Sequence, residues 1–533
     1  MSRRMGRGSR FLVLFAANLV LVASGCDHNH GRKISEQERR TALAFLSTAS
    51  KGPAALHAFL EQFPKGADLH VHLSGAVYAE TFLKDAAEDG LCADKVALKL
   101  AKPPCSGKQL VAVKDLLGNM TPENQDLYDR LVDAFSMRSF VATPGFSGHD
   151  EFFATFARFS GLNSSHVGEW VDEVASRAAA QNQQYLELME TPPFGHAAQV
   201  AHGIGWIADM AKMRQALLEK GVLDEVETDR EHVRTAEARR MELENCGTAQ
   251  ATAACGVQTR YIYQVLRGFA PEQVFAQTLL GFETVKASMD SHKQGDAHEA
   301  GFVGINFVMP EDGYISMRDY ELQMKTVEYL HSVYPQVHIS LHAGELAPGL
   351  VPPEGLRFHI REAVEMGHAE RIGHGVDVMY EDHAGQLLKE MADRHVMVEI
   401  NLSSNEGILG VEGDAHPFPL YRSAHVPVAL STDDEGVSRI ELTHEYTRAA
   451  LDYHLTYADM KQLARTGMEH DFLPGESLWA KPDRFEEANA ACKGEELGGA
   501  KPSEACRRFL DGSEKAAAQW EQERRFREFE SRF

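Results

Sequence analysis

The 533-residue sequence predicts an α/β fold, a (β/α)8 or TIM barrel with loop insertions and helical N- and C-terminal extensions. The main observation is that short apolar runs recur eight times, each followed by a helix-compatible stretch, as in a parallel barrel. The length agrees, because one barrel with insertions absorbs most of a chain this long. A doubly wound open sheet is the structural alternative, but no Gly-rich dinucleotide fingerprint follows the first strand.

The eight predicted strands follow one another along the chain without an internal repeat. They cover Ala67–Val71, Gln184–Met189, Arg260–Val265, Val303–Val308, Val337–Leu341, Arg371–Gly373, Val396–Asn401 and Pro427–Ser431. In a parallel barrel the carboxyl ends of all strands form one mouth, where barrel enzymes build their active sites. Polar residues at these eight ends are therefore the first candidates for function.

The chain begins with residues that we interpret as a processing signal rather than as part of the fold. A basic start is followed by the apolar run Phe11–Ala23, which is too short to span a bilayer comfortably. Residues 23–26, Ala-Ser-Gly-Cys, resemble the bacterial lipobox. We therefore expect a lipoprotein signal peptide at 1–25, lipidation of Cys26, and export to the periplasmic or cell-surface side of a bacterial membrane. An ordinary cleavable signal with an incidental cysteine is the alternative.

The rest of the chain divides into a lead-in, a barrel and a tail. Residues 26–63 are interpreted as a tether and a helical lead-in, and residues 64–480 as the barrel domain. Two stretches look inserted, about 92–148 and 225–256, and long insertions in a barrel decorate loops or form lids. The charged residues 481–533 predict a solvated helical C-terminal extension.

Composition indicates a folded globular protein, with 44% hydrophobic and 25% charged residues. The formal net charge of −24 argues against a nucleic-acid partner, because phosphate binding needs a concentrated positive field. Six of the seven cysteines, all except Cys26, fall into pairs that are close in sequence, which indicates local disulfides in an oxidising compartment. The candidate pairs are Cys92 with Cys105, Cys246 with Cys255, and Cys492 with Cys506. Spacing alone leaves open the fifteen pairings that six cysteines allow.

Four strand ends carry residues with metal or proton-transfer chemistry. His70 and His72 lie two apart on the first strand, so both face the same side at the mouth. The fifth strand ends at His342, with Glu345 in the following turn, the sixth supplies His374 between two glycines, and the eighth runs into Asp433 and Asp434. Taken singly, a buried histidine pair, a helix cap and a tight turn explain these residues equally well.

Together, the three histidines and the aspartate at strands one, five and eight would converge on one point, with His374 and Glu345 beside it. Imidazole and carboxylate ligands that leave a place for water suit Zn(II). The ordered set is far more specific than its parts.

The segments DLHVHLSG, SLHAGE, RIGHG and STDDEG, in this order, resemble the signature segments of the adenosine deaminase family within the metal-dependent amidohydrolases. The resemblance covers roughly residues 64–479 and is closer to the secreted growth-factor-like and bacterial lipoprotein branch than to the compact cytosolic enzymes. It implies the (β/α)8 barrel and hydrolytic deamination of adenosine, and of deoxyadenosine, to inosine and ammonia. The protein would then be a hydrolase acting on a cyclic amidine.

The resemblance also implies roles for individual residues. One Zn(II) ion per chain would be held by His70, His72, His342 and Asp433, with Asp433 also counted among the catalytic residues. Glu345 would be the proton shuttle, His374 would orient the attacking water, and Asp434 would contact the purine ring.

Three further positions are candidate substrate contacts. Ser74 stands where the compact enzymes have a carboxylate that grips the ribose, and Met309 replaces a glycine whose backbone approaches the purine. Ser404 lies in a segment that resembles the pocket-lining seventh-strand segment of the family. Chemistry should survive these changes better than substrate preference does.

Two other functions stay open at this point. The chain could be an amidohydrolase that deaminates another amino-purine or related amine, or a catalytically silent nucleoside-binding lipoprotein. In each case the expected partner is a small nucleoside-like molecule, and the only expected membrane contact is the N-terminal lipid. An AMP-type substrate is less attractive, since no basic cluster stands beside the motifs.

Overall fold

The computed structural model describes residues 34–293 and 301–533, and its centre is a barrel of eight parallel strands. In chain order we name them β1 to β8: Gly66–His72, Gln183–Glu190, Gln258–Leu266, Phe302–Val308, His338–Ala343, Arg371–His374, Met397–Ile400 and Val428–Leu430. Strands that are consecutive in this series pair with each other. The predicted (β/α)8 barrel and its eight strands are confirmed.

The barrel closes where the chain leaving β8 meets β1. The backbone N–H of His72 donates to the carbonyl oxygen of Asp433 at 3.1 Å. The N–H of Asp433 donates to the carbonyl oxygen of His70 at 2.9 Å. The closing hydrogen bonds therefore join three of the residues implicated as metal ligands.

A ring of helices covers the barrel, and apolar side chains fill the layer between the ring and the strands. The ring helices are Val167–Ala180, Val226–Leu243, Pro271–Lys293, Tyr314–Val333, His359–Glu365, Ala384–Asp393, Phe418–Ser423, Leu442–Asp452 and Tyr457–Glu469. Two short helices, Leu402–Leu409 and Glu435–Ser438, follow β7 and β8 directly at the mouth.

Residues 225–256, expected as an insertion, include a long helix that packs within the helical ring. Helix Val226–Leu243 packs against the ring helices Val167–Ala180 and Pro271–Lys293, so it takes the ring position between β2 and β3. The additional elements of this unit are helices Gly195–Ile204 and Met210–Glu219. Only a narrow stripe of this helix is buried, so many of its residues are charged, as they would be in an exposed loop decoration.

Residues 92–148 do form a separate layer after β1. A small antiparallel sheet is built from Cys92–Asp94, Lys99–Ala101 and Leu110–Ala112. Around it lie helices Ala79–Glu88, Val113–Gly118, Pro122–Ala134 and Gly148–Phe159, while the short helix Leu73–Ala76 packs on the barrel. This layer has its own apolar core, in which the rings of Phe82 and Phe159 stack at 4.5 Å.

The two terminal extensions pack on each other near the start of β1. The N-terminal part is two helices, Glu36–Ala49 and Pro53–Glu61; the C-terminal part is a hairpin, Trp479–Lys481 with Arg484–Ala488, and helices Glu504–Asp511 and Glu514–Glu530. The expected solvated tail is wrong for the last helix, since Trp520, Phe526 and Phe529 are buried. Its apolar stripe contacts Phe63, with ring centroids 5.6 Å from Phe526.

All three cysteine pairs are disulfides, namely Cys92–Cys105, Cys246–Cys255 and Cys492–Cys506, as predicted. The signal peptide and Cys26 lie outside the described residues. No helix in residues 34–293 or 301–533 combines the length and apolar character needed to cross a bilayer.

Candidate active site

Four imidazoles and one carboxylate converge at the barrel mouth, from the ends of β1, β5, β6 and β8. The Nε2 atoms of His72 and His342 are 3.1 Å apart. The Oδ1 atom of Asp433 lies 3.4 Å from His70 Nε2 and 3.3 Å from His72 Nε2. His374 joins the same cluster, in which nitrogen and oxygen atoms of His70, His342, His374 and Asp433 all lie within 4.8 Å of one another.

This donor set fits a divalent cation. The Nε2 atoms of His70 and His374 are buried and have no hydrogen-bond partner among the described residues. Two imidazole nitrogens that face each other at 3.1 Å need either a shared proton or a shared cation between their lone pairs. Tetrahedral zinc is bound by such nitrogen and oxygen donors. The four predicted ligands are brought together, and His374 lies beside them.

Two residues of the cluster hold a backbone conformation that side chains rarely adopt. The φ angle is +70° at His374 and +60° at Asp433. A non-glycine residue in this region costs of order 1–3 kcal/mol and persists where the surrounding structure over-determines it. The closing bonds of the barrel supply that constraint at Asp433.

Behind His70 lies a buried network of charges. Its Nδ1 atom is 2.6 Å from Glu399 Oε2, so Nδ1–H donates and leaves Nε2 free to bind a cation. The other oxygen of Glu399 accepts from Arg371 Nε at 2.7 Å and from the hydroxyl of Ser340 at 3.1 Å. Arg371 in turn pairs with Glu187 Oε2 at 2.6 Å. This network inside the barrel therefore holds the ring of His70 in one orientation.

His342 is oriented in the same way by Asn306 on β4. The Oδ1 atom of Asn306 accepts from Nδ1 of His342 at 2.8 Å and from its backbone N–H at 3.1 Å. The amide group of Asn306 donates to Ser340 Oγ at 3.2 Å. Asn306 thus aims Nε2 of His342 at the cluster, a role that its place in the fourth-strand segment did not reveal.

His374 is kept neutral, with its proton directed into the site. Its Nδ1 accepts from the side-chain amides of Asn405 at 2.9 Å and Asn401 at 3.3 Å, so the proton is on Nε2. Burial lowers the pKa of His374 to about 3. Its Nε2 lies 3.7 Å from Glu345 Oε1 and 4.0 Å from Asp433 Oδ2. A donor between these two carboxyl groups can orient a small polar molecule.

Glu345 stands beside this donor in a nearly closed environment. Burial, together with the negative charges of Asp433 and Glu311, raises the pKa of Glu345 well above its usual value. A raised pKa favours the protonated form of this carboxyl group, and such a group can both give and take a proton.

The candidate substrate contacts lie around the cluster. Asp434 is buried and packs directly on the backbone of Gly75. A Cβ atom at Gly75 would lie only 1.5 Å from Asp434 Oδ1. Ser74 is half-buried in the turn after β1. Ser404 donates its hydroxyl to Asp433 Oδ2 at 2.6 Å, so that hydroxyl holds the carboxylate. Met309 is exposed and covers Gly268, whose N–H is 3.3 Å from the Met309 sulfur.

The predicted insertion reaches the same mouth. Gly148, at the start of helix Gly148–Phe159, backs so closely on the carbonyl of Gly407 that a Cβ atom would lie 1.9 Å from its oxygen. On the next residue, His149 Nε2 is 3.0 Å from Asp312 Oδ1 in the loop after β4. This helix therefore bridges loops after β4 and β7, above the strands that carry Glu345 and His374.

A family model described as adenosine deaminase matches residues 166–481, more than half of the chain. The chain belongs to the adenosine deaminase family. The family predicted from the four motifs is thus confirmed, although His70 and His72 lie before the matched residues. The fold shows that β1 brings them to the same barrel mouth as His342 and Asp433.

Curated relatives of this adenosine deaminase family chain match it over a shorter stretch. The adenosine deaminases of Escherichia coli strains SMS-3-5 and O7:K1 are each 38% identical over 140 residues, which is 26% of this chain. The matched segment spans 39% of the length of each relative.

Solved structures resemble the fold at low identity. Adenine deaminase from Arthrobacter aurescens is 18% identical with a TM-score of 0.48, covering 77% of this chain and 94% of the other. The apo N6-methyl-AMP deaminase of Arabidopsis thaliana is 20% identical with the same TM-score, covering 78% and 94%.

Proposed function

We propose that this protein deaminates adenosine, and deoxyadenosine, to inosine and ammonia by hydrolysis, with one zinc ion per chain. The observation that carries the proposal is the meeting of four imidazoles, Asp433 and the buried Glu345 at one barrel mouth. Membership of the adenosine deaminase family supports the same reaction class.

The residues that would hold the zinc ion are His70, His72, His342 and Asp433. When bound there, zinc supplies Lewis acidity that makes water acidic near neutral pH. Glu399 and Asn306 keep the first and third of these histidines in the tautomer that offers Nε2 to the ion.

Proton transfer falls to Glu345. The oxygen of water bonds to C6 of the purine, which makes C6 tetrahedral. At the same time Glu345 gives its proton to ring nitrogen N1. The carboxylate then takes a proton from the added oxygen and passes it to the amino group. The C6–N bond breaks and ammonia leaves, while the remaining proton of the added oxygen returns to Glu345. The purine thus keeps one oxygen in place of one nitrogen, and Glu345 regains its starting form.

Two other residues orient the reactants. His374 donates from Nε2 toward the space between Glu345 and Asp433, where the attacking water would be aligned. Asp434 is buried, and burial together with Asp433 raises its pKa well above the usual value. A protonated carboxyl group can donate a hydrogen bond to a ring nitrogen of the purine.

Ammonia release from a panel of aminopurine nucleosides tests the activity. Zinc-loaded enzyme should act on adenosine and deoxyadenosine, while Glu345→Gln should lose about 10²–10⁴-fold in kcat and keep its zinc. Near-normal turnover by Glu345→Gln would contradict the proton-transfer role. If the enzyme hydrolysed another amine quickly but turned over neither nucleoside, the assignment of adenosine and deoxyadenosine as substrates would be wrong.

One observation favours a second substrate class. Met309 holds a φ angle of +90° and places its side chain over Gly268 at the mouth. A side chain at this position changes the space next to the purine, so a different amino-purine remains the second candidate. Met309→Gly should raise kcat/KM for adenosine if the side chain crowds it; an unchanged ratio across the panel would remove this argument.

We further propose that the protein is exported and anchored through a lipid on Cys26. The three disulfides support an oxidising compartment. In a bacterial host, Cys26→Ser should release the protein from the membrane fraction and abolish incorporation of a labelled fatty acid. Unchanged membrane association of this variant would refute the anchor.

A further inference from the structure

The turn that carries Glu345 rests on a buried carboxylate that belongs to another strand end. Glu311 follows β4 and is only 1% exposed. Its Oε1 accepts the backbone N–H of Gly344 at 3.0 Å, and its Oε2 accepts the N–H of Glu345 at 2.7 Å. Both oxygens of one carboxylate are therefore used to hold two consecutive peptide groups.

The backbone of this turn is shaped to receive an anion. Gly344 has a φ angle of +77°, and a Cβ atom there would lie 2.6 Å from Asp377 Oδ1. A left-handed residue beside an ordinary one points successive N–H groups to the same side, which makes a small anion-binding concavity. Here the carboxylate of Glu311 is that anion. By holding the turn, Glu311 fixes the orientation of the Glu345 side chain.

Glu311 is itself held from the other side. The Nδ1 atom of His359 lies 2.5 Å from its Oε1, and His359 is fully buried. Tyr320 stacks on the His359 ring at 3.9 Å and donates its hydroxyl to the His359 carbonyl at 2.9 Å. Burial acts to raise the pKa of Glu311, but His359 and Arg267 lower it to about 2, so the group is ionised. An ionised carboxylate accepts stronger hydrogen bonds from N–H groups than a neutral one does.

We propose that Glu311, supported by His359, is a positioning residue that fixes the backbone of Glu345 so that its carboxyl group reaches the reacting atoms. This inference rests on the proposed function, since it concerns the group assigned to proton transfer. Glu311 does not line the metal cluster. It holds the peptide groups of the turn, and its negative charge also raises the pKa of Glu345. Because a displacement of about 1 Å can cost about 10²-fold in rate, a loosened turn should slow the chemistry.

The test is Glu311→Gln, in which one acceptor oxygen becomes an amide that opposes a backbone N–H. We expect kcat on adenosine to fall about 10- to 100-fold, with KM and zinc content unchanged. His359→Phe keeps a ring against Tyr320 but removes the hydrogen bond to Glu311, and it should show a smaller fall of the same kind. The second variant keeps the test decisive if the first does not fold.

Glu225→Gln is the matched control. Its two oxygens likewise accept two consecutive backbone N–H groups, those of His196 at 2.9 Å and Ala197 at 2.7 Å, but in the outer ring. It should leave kcat unchanged. Equal kcat in Glu311→Gln and wild type, or an equal fall in Glu225→Gln, would overturn the proposal.

Amide hydrogen exchange separates this inference from the proposed function. In Glu311→Gln the N–H groups of Gly344 and Glu345 should exchange faster than in wild type, whether or not a substrate is known. Wild-type protein that releases no ammonia from any aminopurine would refute the proposed function. In that case unchanged exchange at these two amides would overturn the positioning role as well, and faster exchange would support it.

Discussion

The sharpest prediction concerns Glu399, a buried carboxylate that contacts His70 directly and is linked to His342 through Ser340 and Asn306. Its carboxylate accepts from His70 Nδ1 at 2.6 Å, from Arg371 Nε at 2.7 Å and from Ser340 Oγ at 3.1 Å, with no exposed side-chain surface. In Glu399→Gln one oxygen becomes an amide nitrogen. The donors of His70, Arg371 and Ser340 then share a single acceptor oxygen. The new amide nitrogen, which can only donate, is placed opposite the donor of either His70 or Arg371.

The loss can be given a magnitude. Removing a partner that orients a metal-binding histidine costs about 10- to 100-fold in metal affinity. This corresponds to about 1.4–2.8 kcal/mol of zinc binding free energy, since each tenfold is about 1.4 kcal/mol. Zinc affinity is measured by competition with a chromophoric chelator at fixed pH, so that proton release does not differ between variants.

Glu187→Gln is the control for the buried charges. Glu187 pairs with the same Arg371 at 2.6 Å and is equally buried, but its other oxygen accepts from Tyr185 and the backbone of Phe472, not from a ligand. It should lower the free energy of unfolding and leave zinc affinity unchanged. Unaltered affinity in Glu399→Gln, or an equal loss in Glu187→Gln, would refute the reasoning.

Two further predictions concern stability. Cys105→Ser opens the Cys92–Cys105 loop, whose cysteines are separated by 13 residues, and should lower the unfolding free energy by about 3 kcal/mol in chemical denaturation; no change would mean that the sheet of residues 92–112 needs no crosslink. Burial raises the pKa of Asp229 from 3.8 to about 8, so the folded chain binds its proton more tightly and the contribution to stability fades as pH rises from about 4 to about 8. Asp229→Asn should therefore flatten the pH dependence of unfolding in this window, and parallel curves for variant and wild type would contradict the assignment.

The fold and the metal cluster were accessible from the sequence because they depend on order and strand geometry alone. Residues at the carboxyl ends of parallel strands share one mouth, so His70, His342 and Asp433 could be grouped without knowing any distance. The eight apolar runs predicted the barrel, because their number and their alternation with helices are enough to indicate that fold.

The contacts that aim the ligands could not be predicted in the same way. Whether Asn306 faces His342, or Asn405 faces His374, depends on strand tilt and on the shape of the loops. One signal was present: Glu399 is a lone acidic residue within an apolar strand, and Arg371 opens the neighbouring one. A single charge in such a strand indicates a buried pair inside the barrel.

The packing of residues 225–256 could not be predicted for a different reason. Charge density cannot distinguish a surface decoration from a ring helix that buries one narrow stripe, such as Val233 and Ala236 on Val226–Leu243.

The seam between the first and the last strand gives the protein an order of assembly. The set of His70, His72, His342 and Asp433 is complete only when the final strand has paired and the backbone of Asp433 hydrogen-bonds to β1. A chain truncated before residue 428, or one whose barrel stays open, therefore cannot complete the ligand set. Metal uptake thus reports that the full barrel has folded, and an unfinished chain carries no reactive centre.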